Sequence, residues 1–314
     1  LPRIDELMET LGGHTWFTAL DLASGFHQLP MAEKDKHKTA FSCHMGQYEF
    51  NRLPFGLTNS PSAFSRAMDC VLAGIKGPEV LVYIDDILIM SKTFEEHMQH
   101  LDVVLTALGK AGMVLRSKKC MFCKKQLDYL GFVVNAEGIM PNPKKVKAVA
   151  EWAYAKTARD IRAFLGTVNY YRHFIKDCAA IQAPLSRLTA IDKYKKPVHR
   201  FVFDKACEQA WDLLRKKLVE APLLRHPDFT KRFKIDIDSC ELGVGAVLSQ
   251  EDEGGVEHPV AYYSQKFSSD EAKWASTELE AIGVLKALDH FRCYVYGVDF
   301  DVRCDSLNVT LAWL

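Results

Sequence analysis

Short apolar runs separated by amphipathic segments fill the first 135 residues of the chain. Residues 16–20 and 81–90 have the composition of strands, whereas residues 62–72 and 95–111 are typical of helices. Strands and helices in this mixture predict an α+β domain built on an antiparallel sheet.

The middle section, residues 136–228, is predicted to be mainly helical. Pro143 suits the first turn of one helix, and Thr157 with Asp160 three residues later has the pattern of a capping box before the next helix. Within that next helix, apolar residues at helical spacing predict a core face: Ile161, Phe164, Leu165, Val168, Tyr171 and Ile175.

The last section, residues 229–314, returns to an α/β pattern. Apolar and polar residues alternate through 233–238, so Asp236 and Asp238 project from the same face of one predicted strand. Glu278 lies near the start of a predicted amphipathic helix, and a further alternating strand follows it. Acidic side chains therefore stand on separate predicted elements around one centre.

Two adjacent carboxylates, Asp85 and Asp86, interrupt the apolar run 81–90. Burying such a pair costs free energy through desolvation and like-charge repulsion, so its presence indicates a use, and the obvious use is binding divalent metal. The alternative is the solvated tip of a surface hairpin. Ile84 argues against a tight two-residue turn, which favours Gly or Asn. Asp21 follows a second apolar run, and three acids on neighbouring strand ends can hold two metal ions.

Length and composition limit the number of domains and the class of protein only weakly. At 314 residues the chain exceeds the usual single-domain size, so two or three domains are expected. Apolar residues make up 48% of the chain, with no run long enough to span a bilayer and no secretory leader, which predicts a soluble intracellular protein without membrane association. The nine cysteines form no regular framework and favour a reduced thiol context.

The charge of the chain is balanced overall but uneven locally. Forty basic residues face 40 acidic ones, so the net charge does not indicate nucleic-acid binding. Between residues 110 and 125, basic residues occur with no acid among them: Lys110, Arg116, Lys118, Lys119, Lys124 and Lys125. This stretch suits a phosphate backbone, and a solvated face is the alternative explanation.

Eight sequence blocks occur in an order that is specific to one family. They are residues 1–5 (LPRID), 20–28 (LDLASGFHQ), 38–41 (KTAF), 53–61 (LPFGLTNSP), 83–86 (YIDD), 129–132 (YLGF), 164–172 (FLGTVNYYR) and 243–250 (GVGAVLSQ). Through these blocks the whole chain resembles the reverse transcriptase and ribonuclease H region of gypsy-type LTR retrotransposon polyproteins.

The resemblance implies an α+β fold with three parts. Residues 1–135 correspond to a polymerase palm with an antiparallel sheet and part of the fingers, residues 136–228 to a helical thumb/connection, and residues 229–314 to a ribonuclease H-like α/β domain. Because the chain begins with Leu1 inside the family's polymerase region and ends before the family's ribonuclease H segment does, we expect a fragment that is truncated at both ends.

For the polymerase centre, the resemblance implies two Mg²⁺ ions, with Mn²⁺ as a substitute. Asp21 and Asp85 would be the principal ligands and Asp86 would complete the charge, with the ions roughly 4 Å apart. One ion lowers the pKa of the primer 3′-hydroxyl, which attacks the α-phosphate of the incoming nucleotide, and the other stabilises the pyrophosphate leaving group.

Further roles follow from the same resemblance. Phe26 would pack under the sugar and exclude a 2′-hydroxyl, so that the product is DNA; an ordinary core aromatic is the alternative. The remaining expected contacts are Phe55 and Gly56 with the nucleotide and template, and Tyr83, Leu130, Gly131 and Phe132 with the primer and template.

In the last section the resemblance implies a second two-metal centre that cleaves the RNA strand of a hybrid. Its expected acids are Asp238, Glu278 and Asp305, and Asp236 is the alternative to Asp238. The position of Asp238 relative to the glycines at 243 and 245 favours it over Asp236, which could be a solvated edge residue.

The resemblance therefore predicts an RNA-directed DNA polymerase with a linked ribonuclease H. Its expected partners are an RNA template, a DNA primer, an RNA–DNA hybrid, dNTPs, and the protease and integrase of the same polyprotein. The expected location is the cytoplasm, within a virus-like particle, with access to the nucleus. A noncatalytic, nucleic-acid-binding remnant of a retroelement is the alternative.

Overall fold

The computed structural model describes residues 10–191 and 200–304. The chain divides into two compact units, the first made of Leu1–Leu130 with Val134–Glu137 and the second of Gly131–Val133 with Gly138–Leu314. All nine cysteines lie within the described residues, and none of them forms a disulfide. No helix in this part of the chain combines the length and the apolar character that crossing a bilayer requires.

The first unit combines a sheet with two helices. Its elements are β1 (Trp16–Asp21), β2 (Phe41–Cys43), β3 (Gly46–Tyr48), α1 (Ser60–Val71), β4 (Val80–Tyr83), β5 (Asp86–Ser91), α2 (Phe94–Lys110), β6 (Met121–Lys124) and β7 (Gln126–Tyr129). Strands β4, β5, β1 and β6 form an antiparallel sheet in this order, and β2 pairs with β3 as a separate hairpin. The two predicted helices and the antiparallel sheet are confirmed.

One hydrophobic core joins this sheet to both helices. Its fully buried members include Leu20, Ile87 and Ile89 from the strands and Phe64, Met68 and Val104 from the helices. Each such side chain contributes about 1.5–3 kcal/mol when it leaves water. The core therefore holds β1 and β5 firmly, and these are the strands whose ends carry the acidic residues.

A buried polar network also connects α2 to the sheet. The ring of His97 is fully buried, with Nε2 lying 2.7 Å from Thr18 Oγ1 on β1 and Nδ1 lying 2.9 Å from Ser91 Oγ on β5. Burial lowers the pKa of His97, which therefore stays neutral. Because buried polar groups need partners, this network adds directional contacts to the apolar packing.

The second unit begins with helices and ends with a sheet. Its elements are β9 (Gly138–Pro141), α3 (Pro143–Ala150), α4 (Ala158–Tyr170), α5 (Cys178–Arg187), α6 (Lys205–Val219), β10 (Leu224–Arg225), β11 (Phe233–Cys240), β12 (Gly243–Glu251), β13 (Glu257–Lys266), α7 (Ser276–His290), α8 (Arg292–Val295) and β14 (Phe300–Cys304). Strand β8 (Phe132–Asn135) contains the boundary between the units.

The helical part of the second unit follows its sequence pattern closely. Pro143 opens α3, and Thr157 and Asp160 form the predicted capping box before α4. All six residues of the predicted apolar stripe are buried. Phe164 from this stripe stacks on Trp211 of α6 with ring centroids 3.7 Å apart, so an aromatic contact joins these two helices.

The sheet of the second unit has the strand order β13–β12–β11–β14. Strand β14 runs parallel to β11, whereas β11, β12 and β13 are antiparallel neighbours. Residues Phe233, Ile235 and Ile237 are buried in alternation along β11, as predicted. Gly283 lets α7 lie close to β11, because a Cβ at this position would stand 2.1 Å from Ser239 Oγ.

Removing the Phe164 ring should destabilise the second unit. We expect Phe164→Ala to lower the free energy of unfolding by about 3–5 kcal/mol, because it leaves a cavity against Trp211. Urea denaturation measures this change. Leu213→Ala, at a residue of α6 that is 41% exposed, is the control and should cost less than about 1 kcal/mol. Equal losses in the two variants would contradict the assigned core.

Candidate active sites

Backbone pairing brings three carboxylates to one end of the first sheet. Asp86 begins β5, and Asp21 ends β1 as its direct antiparallel partner. Opposed residues of an antiparallel pair have Cβ atoms about 5 Å apart on the same face. Asp85 immediately precedes Asp86, and its carbonyl accepts a hydrogen bond of 3.3 Å from Leu22 N. Acids that are 64 and 65 positions apart in the chain thus become neighbours.

The chain between β4 and β5 is a tight hairpin. Tyr83 pairs with Asp86, which leaves Ile84 and Asp85 as the two turn residues. Ile84 has φ = 56°, a left-handed conformation that costs a β-branched residue about 1–3 kcal/mol. The argument from Ile84 against a tight turn was therefore wrong. The two acids are nevertheless partly buried, and not the solvated tip that a hairpin suggested.

The clustered acids perturb one another. Burial, together with the negative charges of Asp85 and Asp21, raises the pKa of Asp86 to about 6, and the positive charge of Lys119 opposes this rise. Asp21 is flanked by two cations, with Arg116 Nε lying 3.9 Å from Oδ1 and Lys119 Nζ lying 3.6 Å from Oδ2. Oδ1 of Asp21 is buried and accepts no hydrogen bond from the described residues.

This donor set fits a hard divalent cation. Within residues 10–191 and 200–304, no three His, Cys, Asp or Glu side chains are already arranged as metal ligands. The backbone register nevertheless fixes Asp21 opposite Asp86. Oδ1 of Asp21 accepts no hydrogen bond from the described residues, and the pKa of Asp86 is raised, so the nearby cations leave part of the negative charge uncompensated. Carboxylate oxygens are the ligands that Mg²⁺ prefers, so Asp21, Asp85 and Asp86 could hold it.

An aromatic cluster lies beside these acids. Phe26 packs against Phe55 and Phe64, with ring centroids 5.0 and 5.5 Å away. Gly25 allows this approach, because a Cβ there would stand 3.0 Å from the Phe64 ring and 3.1 Å from Asp85 Cβ. Phe55 is 58% exposed. The cluster therefore extends from the acidic site to solvent.

The other predicted nucleic-acid contacts occupy special backbone positions. Gly56 has φ = 90°, and Leu130 and Gly131 have φ = 47° and 80°. Within the second unit, Tyr171 Oη donates a 2.9 Å hydrogen bond to the Gly131 carbonyl, and Phe132 stacks at 5.3 Å on Tyr170. These contacts define the local turn, and the expected roles in holding the primer stay predictions.

The second acidic cluster lies at the end of β11. Asp238 is exposed there, whereas Asp236, two residues earlier, forms an ion pair of 3.4 Å with Arg303 Nε on β14. Arg303 also contacts Glu257, which joins Asp236 to a surface charge network. Of these two acids, Asp236 is held in an ion pair with Arg303, whereas Asp238 is exposed. Asp305, the third predicted acid, lies outside the described residues.

Helix α7 presents two glutamates in different settings. Glu278 is exposed, and its Oε2 accepts a 2.9 Å hydrogen bond from Ala275 N at the start of the helix. Glu280 lines a small cavity together with Ile237, Asp238, Ser239 and Cys304, and its Oε2 is buried without a hydrogen-bond partner among the described residues. Glu280 was not predicted. Its spacing of three and seven residues from the buried Gly283 and Ala287 was the available signal.

Comparisons with known proteins identify the family of the chain. The family described as reverse transcriptase (RNA-dependent DNA polymerase) matches residues 1–134, and the RNase H-like domain found in reverse transcriptase matches residues 203–302. The Pol polyproteins of transposons opus and gypsy from Drosophila melanogaster are each 38% identical over 99% of this chain. The chain belongs to the retrotransposon reverse transcriptase family.

The chain spans only part of the length of its relatives. It covers 32% of the opus polyprotein, 30% of the gypsy polyprotein, and 23% of the Tf2-3 polyprotein of Schizosaccharomyces pombe, which is 35% identical over 98% of the chain. The gypsy-type resemblance read from the eight sequence blocks is thereby confirmed.

Solved structures share the fold of this chain. A foamy viral protease–reverse transcriptase in complex with double-stranded DNA superimposes with a TM-score of 0.82 at 23% identity, over 100% of this chain and 54% of that one. The foamy viral enzyme in complex with an RNA/DNA hybrid gives 0.79 at 23% identity, over 96% and 40%. The predicted α+β class, with a palm, a helical thumb/connection and a ribonuclease H-like domain, is confirmed; the exact domain boundaries stay predictions.

The raised pKa of Asp86 predicts a pH-dependent stability in the absence of metal. The native state binds the Asp86 proton more tightly than the unfolded chain does, so stability falls as the pH rises from about 4 to about 6 and then stays lower. In EDTA at pH 7, Asp86→Asn should be more stable than the wild type by about 1 kcal/mol, after allowance for solvent screening.

Urea denaturation at several pH values measures this difference. The advantage of Asp86→Asn should vanish below the ordinary carboxyl pKa of 3.8. Asp128→Asn, which alters an exposed acid on β7, is the control and should show no such pH dependence. An Asp86→Asn variant that is less stable than the wild type at pH 7 would contradict the electrostatic description of the site.

Proposed function

We propose that this chain is the catalytic region of an RNA-directed DNA polymerase with a linked ribonuclease H. The observation that carries the proposal is the β1–β5 register, which pairs Asp21 with Asp86 beside Asp85. Three acids that converge on one sheet end, within a chain of the reverse transcriptase family, support nucleotidyl transfer from a dNTP to a primer 3′-hydroxyl.

The three acids act as ligands and as a source of negative potential. Asp21 and Asp85 are the principal metal ligands in this proposal, and Asp86 adds a third negative charge. Because the pKa of Asp86 is raised, a bound cation would favour the ionised form of its carboxyl group. Bound Mg²⁺, or Mn²⁺ in its place, supplies Lewis-acid activation of the primer hydroxyl and charge stabilisation of the departing pyrophosphate. The rigid β-pairing keeps the carboxylates in place, so no reorganisation is needed at the moment of reaction.

Aromatic residues next to the acids position the sugar. Phe26 is fixed by Phe55 and Phe64 and reaches the vicinity of Asp85 through Gly25. A bulky ring in that place leaves no space for a 2′-hydroxyl, which supports a preference for deoxynucleotides. Gly56, next to Phe55, offers an open backbone for the nucleotide and template.

The primer contacts remain part of the proposal. Tyr83 ends β4 directly before the two-residue turn of Ile84 and Asp85 and would contact the primer and template. Leu130 and Gly131, which form a separate turn, would hold the primer end together with Phe132. Three exposed lysines of the basic stretch, Lys110, Lys124 and Lys125, would contact the phosphate backbone.

The ribonuclease H activity is assigned to Asp238, Glu280 and Asp305. We prefer Glu280 to the predicted Glu278, because Glu280 shares a cavity with Asp238 whereas Glu278 caps its own helix. Asp236 is not included, since Arg303 already neutralises it. These acids would hold two divalent ions against the RNA strand of a hybrid.

The partners proposed for the chain follow from its relatives. The solved relatives bind double-stranded DNA and an RNA/DNA hybrid and carry a protease. We infer an RNA template, a DNA primer, dNTPs and a hybrid product for this chain, and a linked protease and integrase in its polyprotein. Action in a cytoplasmic virus-like particle, with access to the nucleus, is part of the same inference.

Primer extension separates an active polymerase from an inactive remnant. The chain, expressed with its natural flanking sequence, should extend a DNA primer on an RNA template with Mg²⁺. Asp85→Asn should lower the rate by at least about a hundredfold, because a metal ligand is lost. Asp102→Asn, at an exposed position on α2, is the control and should retain activity. Undiminished extension by Asp85→Asn, or none by the wild type, would refute the polymerase assignment.

Cleavage of an RNA/DNA hybrid tests the choice of ribonuclease H acids. Asp238→Asn and Glu280→Gln should each lower the cleavage rate by at least about a hundredfold, because each removes a charged ligand. Asp236→Asn and Glu278→Gln should retain cleavage, since these side chains serve an ion pair and a helix end. Loss of cleavage in Glu278→Gln together with activity in Glu280→Gln would reverse the assignment.

A further inference from the structure

Two basic side chains provide internal counter-charge at the polymerase site. Lys119 Nζ lies 3.6 Å from one carboxylate oxygen of Asp21, and Arg116 Nε lies 3.9 Å from the other. The side chain of Asp21 is 23% exposed, whereas those of Arg116 and Lys119 are 45% and 59% exposed. The cations therefore approach a partly buried acid from the solvent side.

The backbone that carries these cations is fastened to the end of β1. Arg116 N donates a 2.8 Å hydrogen bond to the Asp21 carbonyl, Ala23 N donates one of 2.9 Å to the Val114 carbonyl, and Leu22 forms a bridge with Leu115. A short 3₁₀ turn, Ser117–Lys119, then returns Lys119 toward the same carboxylate. Because three backbone contacts hold the segment, the placement of both cations is part of the fold.

Charge balance explains why such cations are useful there. Three negative charges meet at one end of the sheet, on Asp21, Asp85 and Asp86. Two positive charges, on Arg116 and Lys119, lie beside Asp21 and offset part of them. Lys119 is also the cation that opposes the raised pKa of Asp86. A divalent ion that binds Asp21 has to compete with Lys119 and Arg116 for its oxygens and is repelled by both.

We propose that Arg116 and Lys119 are positioning residues that occupy the Asp21 carboxylate in the metal-free protein and are displaced from it when divalent metal binds. The inference rests on the proposed function, because it takes Asp21 as a metal ligand. The two cations thereby stabilise the metal-free sheet end and weaken metal binding. Metal affinity is set in this way by two side chains that need not touch the ion.

Direct metal titration tests this inference without requiring catalysis. Mn²⁺ binding to the full chain is measured by electron paramagnetic resonance, at low ionic strength so that surface charges are little screened. Lys119→Met should bind Mn²⁺ about two- to fivefold more tightly than the wild type, which is the effect expected of one partly exposed ion pair. Lys118→Met, from the same 3₁₀ turn, is the matched control and should bind like the wild type.

A second variant and a second measurement guard against misfolding. Arg116→Gln keeps the backbone hydrogen bond to Asp21 and should also tighten Mn²⁺ binding. In EDTA, both Arg116→Gln and Lys119→Met should melt at a lower temperature than the wild type, and added Mg²⁺ should raise their melting temperatures by more. A residue with a purely structural role would lower the melting temperature without tightening Mn²⁺ binding.

The outcomes distinguish this inference from the function on which it rests. Unchanged or weaker Mn²⁺ binding in both Lys119→Met and Arg116→Gln would overturn the inference. Asp85→Asn should bind Mn²⁺ more weakly than the wild type; if it binds equally well, the metal site itself, and with it the proposed polymerase function, is wrong.

Discussion

The first unit has to hold three mutually repelling carboxylates, Asp21, Asp85 and Asp86, at one end of its sheet. The antiparallel pairing of β1 with β5 forces Asp21 against Asp86, and a two-residue turn adds Asp85. An unfavourable arrangement of this kind persists only because the surrounding structure determines it. The core of the first unit supplies that determination, since buried side chains precede the acids on β1 and follow them on β5.

The local compensations are visible in the same region. Ile84 adopts a left-handed conformation so that the turn can close, Gly25 admits Phe64 and Asp85 at close range, and Arg116 with Lys119 neutralises part of the charge. The second site uses different geometry. There, a parallel β11–β14 pair and helix α7 surround the cavity shared by Asp238 and Glu280, so one acid comes from a strand end and the other from a helix.

The antiparallel sheet and the acids at its end could be predicted from the sequence. Acidic residues that interrupt apolar runs are easily recognised, and the order of the eight sequence blocks indicates the family. The tight hairpin was considered and argued against, since turn preferences do not anticipate a left-handed conformation at a β-branched residue such as Ile84. Glu278 was predicted because it lies at the start of the helix, and Glu280 was not considered. The structure adds that Glu280 lines a cavity with Asp238, a contact that depends on the phase of the helix. The ion pair of Asp236 with Arg303 joins residues 67 positions apart, so no pattern in the sequence around Asp236 predicts it.

The central claim is that Asp21, Asp85 and Asp86 hold divalent metal together, and anomalous diffraction from crystals grown with Mn²⁺ tests it most directly. The account predicts an anomalous peak within about 2.0–2.3 Å of carboxylate oxygens from both Asp21 and the Asp85–Asp86 pair. A Mn²⁺-soaked crystal with no peak at this sheet end, and with Asp21 still paired to Lys119, would contradict the account.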